Sequence, residues 1–476
     1  MMKKRLIVPI ETLARELDAR LYLSLKLLNS QPDKWEVIFG HHRKCGKYMN
    51  TKRHSHLGFI YLSSGLSTDI SHYRKIIKDG GKYCLMDEEG GIFPSHDSDN
   101  YPRGGRDNKC LDYVENIFFW GEKERDNWFH RHRGMEKTKA IVSGNPRFDI
   151  SKKHFTKYFE KINSMANRES SYVLIIFAFG TANSMIDNEL ESKYWASSNK
   201  DGKSFLKKWK PTYRYQKKSF SLYVDGIIRL IKENSDEAFL IRPHPVEDIE
   251  IYKKLFDQFP NVRIDNSGPV QNWFPKTKLF IHNGCTTAIE AAVNGLRPIC
   301  FAPYIEEECI QKLTFEVSTV LSNYDELNET FSELIRSNNK LDNDSINLEH
   351  VKQHIHNVDL DSVDIIVTRL NKIEFKQFVE ISIYIYSFMR QIKNLVPDRL
   401  KALVRRSSDK TNGERMSLDA EEKREVSELL LKRQLVKFPG IKLEELDERQ
   451  KLLVQYNLIA RPVDIDQLDE NLFRLS

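Results

Sequence analysis

Arg242-Pro243-His244-Pro245 and, further along, His282-Asn283-Gly284-Cys285-Thr286-Thr287-Ala288-Ile289-Glu290-Ala291-Ala292 are the stretches that decide how this chain is read. Each closes a short apolar run and opens toward a helical pattern. In α/β proteins the carboxyl ends of such strands are where phosphates and nucleotides are held. Two of them in one half of the chain predict a nucleotide-sugar pocket.

Ala238-Phe239-Leu240-Ile241 has the length and composition of a buried strand that stops at Arg242 and Pro243. That strand carries Arg242 and His244 to its end. A guanidinium there grips phosphate oxygens bidentately, and an imidazole adds one more hydrogen bond. Pro245 fixes the backbone just beyond. An ordinary strand exit, with the histidine capping the next helix, leaves the same trace in sequence. Lys278-Leu279-Phe280-Ile281 reads as a second strand, and Thr286 through Val293 as an alanine-rich helix. Asn283 and Gly284 form the turn between them, where a glycine lets backbone approach a ligand. The amides and hydroxyls of Thr286 and Thr287 at a helix start make an anion site. Glu290, one turn on, is placed for ribose hydroxyls or, equally, for solvent. Asn294-Gly295 then stops the helix, and Arg297 to Phe301 supplies the following strand.

These two motifs, together with Ser143-Gly144-Asn145-Pro146-Arg147-Phe148-Asp149, resemble the surface carbohydrate biosynthesis proteins. Those are GT-B-type glycosyltransferase relatives, similar in pattern to the bacterial transferases of Kdo and sialic acids that use CMP-activated sugars. The resemblance covers roughly residues 1 to 350 and is strong for the C-terminal pair, Arg242 to Pro245 and His282 to Ala292, and weaker elsewhere. Thr286-Thr287 stands where the relatives carry paired serines, which keeps both hydroxyls. The resemblance implies two Rossmann-like domains facing a cleft, a CMP-linked donor and a place in capsule or O-antigen synthesis.

A candidate for the chemistry lies in Asp87-Glu88-Glu89-Gly90 at the end of the apolar Tyr83-Cys84-Leu85-Met86. Three carboxylates buried together would repel one another, so at least one would be held protonated. Glycosyl transfer needs a base for the acceptor hydroxyl or, with retention, a carboxylate nucleophile. The relatives carry an acidic-acidic-glycine motif in this domain, and a solvated acidic turn is the plainer alternative. Arg242, His244 and the Thr286 turn would stabilise a departing CMP phosphate without a metal. Asp97-Ser98-Asp99 has the form of a metal-binding pair but follows Pro94 and precedes Tyr101-Pro102-Arg103, so it reads as a polar loop. His41-His42, His54-Ser55-His56 and His130-Arg131-His132 have no cysteines at zinc-ligand spacing, and no metal or other cofactor is expected. The six cysteines are scattered as small core residues, which fits a reducing, cytoplasmic compartment.

At 476 residues the chain exceeds what one hydrophobic core usually supports. Its net charge of +6 is a small difference between 74 basic and 68 acidic residues, with no groove-reading motif, so nucleic acid is not the expected partner. Met1 to Ile10 is too short in its apolar part for a signal peptide and reads as a first strand; no run of ~20 apolar residues is present to span a membrane. Strand candidates at Leu6–Ile10, Trp35–Phe39, Phe59–Leu62, Tyr83–Met86, Asn116–Trp120 and Ala140–Ser143 build a first domain over residues 1–160. A polar linker, Asn163 to Ser171, leads to Tyr172–Phe177 and a second domain over 161–345. Phe179-Gly180-Thr181-Ala182-Asn183 is a third donor-contacting turn, with Thr181 its candidate residue. Asp187 to Lys218, basic and aromatic, reads either as an acceptor-binding lid or as a helical excursion. Residues 346–476 form a helical extension. Within it, Phe375 to Leu395 is either a membrane-surface helix or one that crosses both domains, Ser407 to Ser417 a linker, and the last sixty residues short charged helices for an oligomer or partner contact.

The expectation is therefore an α/β, GT-B-like transferase, moving an ulosonic acid from CMP to a lipid-linked or oligosaccharide acceptor, with peripheral membrane contact. The donor would sit at Arg242, His244, Pro245, Asn283, Gly284, Thr286, Thr287, Glu290 and Thr181. Asp87, Glu88, Glu89 and His244 would carry the chemistry. Two alternatives accompany it: transfer of glycerol phosphate or ribitol phosphate from a CDP donor, and a non-catalytic nucleotide- or glycan-binding scaffold.

Overall fold

Apolar runs separated by amphipathic stretches are what a parallel sheet covered on both faces requires, and the chain makes two of them. A computed structural model describes residues 3–49, 56–66, 70–91, 108–131, 136–162, 171–198, 202–337, 348–358, 360–375 and 419–476. In the first domain β1 (Lys3–Ile10), β2 (Trp35–His41), β3 (His56–Ser63), β4 (Gly81–Met86), β5 (Val114–Phe119) and β6 (Ala140–Val142) run parallel in the order β2-β1-β3-β4-β5-β6. In the second, β7 (Tyr172–Phe177), β8 (Phe239–Pro243), β9 (Val262–Ile264), β10 (Thr277–His282), β11 (Pro298–Phe301) and β12 (Thr319–Leu321) are ordered β12-β11-β10-β7-β8-β9, again all parallel. The three-residue edge strands β9 and β12 are too short to register as apolar runs.

Each sheet has its first strand near the middle, with its successors laid to either side. The crevice where the order reverses lies between β1 and β3 in one sheet and between β7 and β10 in the other. In open parallel sheets ligands bind at such reversals, beyond the carboxyl ends of the strands. The two domains turn those ends toward one another.

After residue 355 the chain returns to the first domain. Val363, Ile366 and Leu370 of the helix Ser362–Asn371 are buried in the first core, Lys4 Nζ bonds the Ile373 carbonyl at 2.7 Å, and Trp35 Nε1 donates to Asn371 Oδ1 at 2.8 Å. The return is thus made ahead of Phe375 to Leu395, most of which lies outside the described residues, as do Asp97-Ser98-Asp99, His54 and His132. The Ser407 to Ser417 linker lies outside them too.

The last sixty residues correct the expectation of a purely helical extension. Two helices, Ala420–Lys437 and Leu443–Gln455, precede an antiparallel hairpin of β13 (Ile465–Asp469) and β14 (Leu472–Leu475). β14 pairs antiparallel with β2, so the first sheet gains two strands and reads β13-β14-β2-β1 at that edge. Phe438, Ile441, Leu446, Leu453, Phe473 and Leu475 are buried in the first core. Here the charged faces point to solvent, and the apolar residues between them, too sparsely spaced to look like a core, pack inside the same molecule. Among the described residues no helix is long and apolar enough to cross a membrane.

Candidate functional site

A cavity of about 700 Å³ lies between the facing strand ends. Its floor on the second-domain side comes from β7, β8 and β10. Asn283, expected to face the donor, straddles the strand reversal: its Oδ1 accepts the Ala178 amide at 3.0 Å and its Nδ2 donates to the Ala178 carbonyl at 3.3 Å. It staples the ends of β7 and β10 together while still lining the cavity. His282 does the same for the turn that follows. Its Nδ1 accepts the Gly284 amide at 2.9 Å, its Nε2 meets Ser318 Oγ at 2.9 Å, and burial lowers its pKa to about 3, so the ring stays neutral. Gly284 has φ +89°, and a Cβ there would stand 2.8 Å from the Phe315 ring; the glycine is required by backbone and neighbour as well as by any ligand.

Beyond that turn the helix Thr287–Asn294 begins, its first amides turned toward the cavity end as helix geometry demands. Thr286 and Thr287 are half-buried and line the cavity; Thr287 Oγ1 pairs with Cys285 Sγ. Thr181 lines it too, its amide donating to Gln216 Oε1 at 2.9 Å.

Arg242 and Pro245 reach the cavity from the end of β8, but the Arg242 fork is already in use. Nη1 donates to the Ser267 carbonyl at 2.9 Å and Nη2 to that of Gly268. Burial lowers its pKa to about 10, which leaves it charged at neutral pH with a further N–H on each Nη. His244 stands open to solvent in the cleft, yet protein walls it closely. Burial first, then the positive charges of Arg15, Lys437, Arg433 and Arg242, lower its pKa to about 4. The Val246 amide donates to Nδ1 at 3.3 Å, so the neutral ring carries its proton on Nε2. Next to it, Glu247 is pushed up to about 7 by burial; it accepts the Phe179 amide at 2.6 Å and the Tyr252 hydroxyl, holding the β7 turn against β8.

The three acids of the first domain part company. Glu88 is buried and paired with Arg20 at 2.6 Å, its second oxygen accepting Asn145 Nδ2 at 3.3 Å. Asp87 folds back to accept the Glu89 amide at 2.9 Å, and its carbonyl accepts Trp120 Nε1 at 2.7 Å. Of the three only Glu89 lines the cavity, its side chain 42% exposed and 3.0 Å from Arg15. The three are not buried together: Glu88 faces Arg20, and Glu89 shares Arg15 with Glu16.

Glu290 is not a solvent-facing helix residue. It lies 3.1 Å from Arg147 Nη2, with both side chains 5% exposed, and accepts Gln271 Nε2 at 3.0 Å. Arg147 belongs to the Ser143–Asp149 motif, which serves as the keystone between the domains. Asn145 caps the short helix Pro146–Asp149 by accepting the Arg147 amide at 3.0 Å, and Arg147 Nη1 donates to the Glu88 carbonyl at 2.9 Å. Asp149 accepts the Ser362 and Val363 amides at 3.0 and 2.9 Å, and burial raises its pKa to about 6 against those bonds.

Several cavity residues were not foreseen. Arg15 sits at the start of the helix Leu13–Ser30, just past β1, and its place after the first strand is the signal that could have found it. Arg433 and Lys437 arrive from Ala420–Lys437, and nothing in their local sequence pointed to the cleft. Trp195, Trp209, Tyr215 and Tyr304 form an aromatic wall, with Trp209 stacked on Tyr213 at 4.9 Å and 7°. The Asp187 to Lys218 segment thus faces the cleft, as two helices, Asn188–Ser198 and the long Gly202–Glu233. Of the histidine pairs, His41 packs edge-on against Phe438 at 4.6 Å. Among the described residues no cluster of three His, Cys, Asp or Glu is arranged to hold a metal.

No protein-family model and no curated protein matches the chain. Solved structures do. The wall teichoic acid polymerase TagF, in its H548A form, superposes with a TM-score of 0.50 at 12% identity, over 78% of this chain and 89% of that one. The UDP-GlcNAc 2-epimerase of Methanocaldococcus jannaschii gives 0.48 at 14% identity over 78% and 99%, and the S. aureus MnaA–UDP structure 0.44 at 13% over 80% and 100%. Two parallel Rossmann-type sheets with their strand ends turned on one cleft, superposable on the TagF polymerase, make this a GT-B fold.

Proposed function

We propose that the chain is a transferase of surface-glycan assembly that moves an ulosonic acid of the Kdo or sialic acid type from a CMP-activated donor to a glycan hydroxyl. One observation carries the reading. Arg15 holds Glu89 of the first domain at 3.0 Å while its charge acts on His244 of the second, so a carboxylate and an imidazole share one cleft around one guanidinium. The donor phosphate sits between the Nε2–H of His244, the first turn of Thr287–Asn294 and the remaining N–H groups of Arg242. The acceptor oxygen bonds to the anomeric carbon, the bond from that carbon to the phosphate oxygen breaks with its electrons leaving on CMP, and the hydroxyl proton passes to Glu89. The aromatic wall suits the sugar rings.

The experiment is turnover of CMP-linked ulosonic acids with wild type, Glu89→Gln and His244→Ala. Turnover lost in both variants with their folding intact supports the reading; a wild type that neither binds CMP nor turns over a CMP-sugar overturns it. A second reading, transfer of glycerol or ribitol phosphate from a CDP donor, is favoured by the number of cations near His244, which suits a pyrophosphate. Turnover of CDP-linked donors alone would select it, and nucleotide binding without turnover, unchanged by Glu89→Gln, would select the scaffold.

A further inference from the structure

The helix Ala420–Lys437 is a strap. On the second-domain side Arg433 Nη1 lies 2.5 Å from Glu191 Oε1, Lys193 Nζ lies 3.3 Å from Glu422, and Val426 packs on Leu190. On the first-domain side Lys437 Nζ lies 3.6 Å from Glu11, Gln434 Nε2 approaches His41 Nε2 at 3.4 Å, and Phe438 closes on the His41 ring. Arg433 and Lys437, anchors on either side, also line the cavity. Charged lining residues number five cations, Arg15, Arg147, Arg242, Arg433 and Lys437, against three carboxylates, Glu89, Glu191 and Glu290. Arg147 is held by Glu290, Arg15 by Glu89 and Arg433 by Glu191, which leaves Arg242, bonded to two carbonyls, and Lys437 as the excess.

The lining as a whole therefore carries two net positive charges, with Arg433 and Lys437 on its strap side. Glu191 divides itself among three donors, with Ser184 Oγ at 2.7 Å on one oxygen and Trp195 Nε1 at 3.3 Å beside Arg433 on the other. The Lys437 contact with Glu11 is long for an ion pair and half open to water, and such pairs hold weakly. The side chains are only 19% and 30% exposed, so they meet the cleft with little bulk water between.

We propose that Arg433 and Lys437 form an oxyanion site supplied by the strap, which takes a phosphate or carboxylate of the substrate from the side opposite Thr286 and Thr287. The inference rests on the transferase reading for the identity of that group but not for its charge. Both cations act on the His244 ring, along with Arg15 and Arg242; an anion entering there meets positive charge from both domains and the strap. Filling the site adds a bond between strap and substrate, so a loaded cleft is also a fastened one.

The test uses the full chain, with Arg433→Gln, Lys437→Gln, the double variant and Arg433→Lys. Three probes are titrated: CMP, free N-acetylneuraminic acid and inorganic pyrophosphate. The double variant should weaken at least one of them by about tenfold or more, the size of one lost charge-assisted contact. Arg433→Lys should restore most of that affinity. Loss for CMP identifies a nucleotide phosphate as the bound group; loss for the sugar acid alone identifies a carboxylate. The His244 pKa, followed by NMR without ligand, should rise in each charge-removing variant and stay low in Arg433→Lys, which keeps the charge while disturbing the strap contact, so that lost charge is told apart from a loosened strap. Lys437→Gln removes only a weak contact and keeps the test alive if Arg433→Gln does not fold. Equal affinities for all probes with an unmoved His244 overturn the site, as does a wild type that binds none of the three. If only pyrophosphate binds, and the variants lose it, the strap site stands while the CMP-sugar reading falls.

Discussion

The Arg147 guanidinium of the first domain lies 3.1 Å from the Glu290 carboxylate of the second, and both are shut away from water. Removing either partner leaves an uncompensated buried charge, at a cost of about 3–5 kcal/mol. Glu290→Ala should therefore lower the melting temperature as well as nucleotide affinity. A residue that only bonded ribose would lose affinity with its melting temperature unchanged, and calorimetry beside a CMP titration separates the two.

Glu88 and Glu89, neighbours in sequence, should respond in opposite ways. Glu88 neutralises Arg20, whose side chain is fully buried, so Glu88→Gln should destabilise the fold by several kcal/mol, within the roughly 3–5 kcal/mol of a broken buried pair. Glu89 is partly exposed in the cleft; Glu89→Gln should leave stability within about 0.5 kcal/mol and reduce turnover by roughly 10²–10⁴-fold. Thermal melts and donor turnover on the two variants give the answer. The same stability loss in both would show that Glu89 is structural.

Affinity for the nucleotide should depend on pH through His244. Its pKa of about 4 lies below the usual 6.5, so the ring is neutral in the empty cleft, and stability from this group falls as pH drops from about 6.5 toward 4. A bound phosphate opposes the surrounding cations and raises that pKa, so binding takes up protons and strengthens as pH falls from 7. Calorimetry in two buffers of different ionisation enthalpy measures the uptake, and His244→Ala should abolish it.

Asp149 gives the reverse pattern in stability. Its folded pKa, raised from 3.8 to about 6, means the native state binds the proton more tightly than the unfolded chain. The stability it contributes is full below about pH 4 and is lost as pH climbs through 6. Asp149→Asn should flatten that part of the curve. It should also cost about 1–2 kcal/mol, because an amide cannot accept the Ser362 and Val363 amides and the Ser362 hydroxyl together. Urea midpoints at pH 4 and 7 for both proteins are the measurement.

Much of the architecture could be read from the residues, because the strands that dominate it are buried on both faces and so appear as unbroken apolar runs. β1 and β7 are the clearest cases. The second-domain turn residues were legible for the same reason: Gly284, Thr286 and Thr287 follow a strand directly. Their roles were less so. Asn283, Arg242 and Glu290 all border the cleft, yet each spends hydrogen bonds on carbonyls, amides or an arginine that only the tertiary fold brings near. Polarity in sequence does not distinguish a group that will meet a ligand from one that will meet the opposite domain. Arg433 and Lys437 lie further still beyond reach, on a helix whose charges look like any solvated face until the strap is laid across the cleft. The hairpin at residues 465–475 failed for another reason: Asp466, Gln467 and Asp469 dilute β13 to a half-exposed edge with no apolar run.

β2 finds its outer neighbour in Leu472–Leu475, and the turn before that strand presses so close that a Cβ on Gly40 would overlap the Asn471 carbonyl. A ribosome delivering this polypeptide exposes β2 well before its partner, which follows the whole second domain. In the interval the first sheet has a bare parallel edge, the kind that templates aggregation. The hairpin covers that edge, and the strap ahead of it in sequence carries Arg433 and Lys437 to the cleft, so the cleft gains its full set of cations only once β2 and the segment after residue 419 have met.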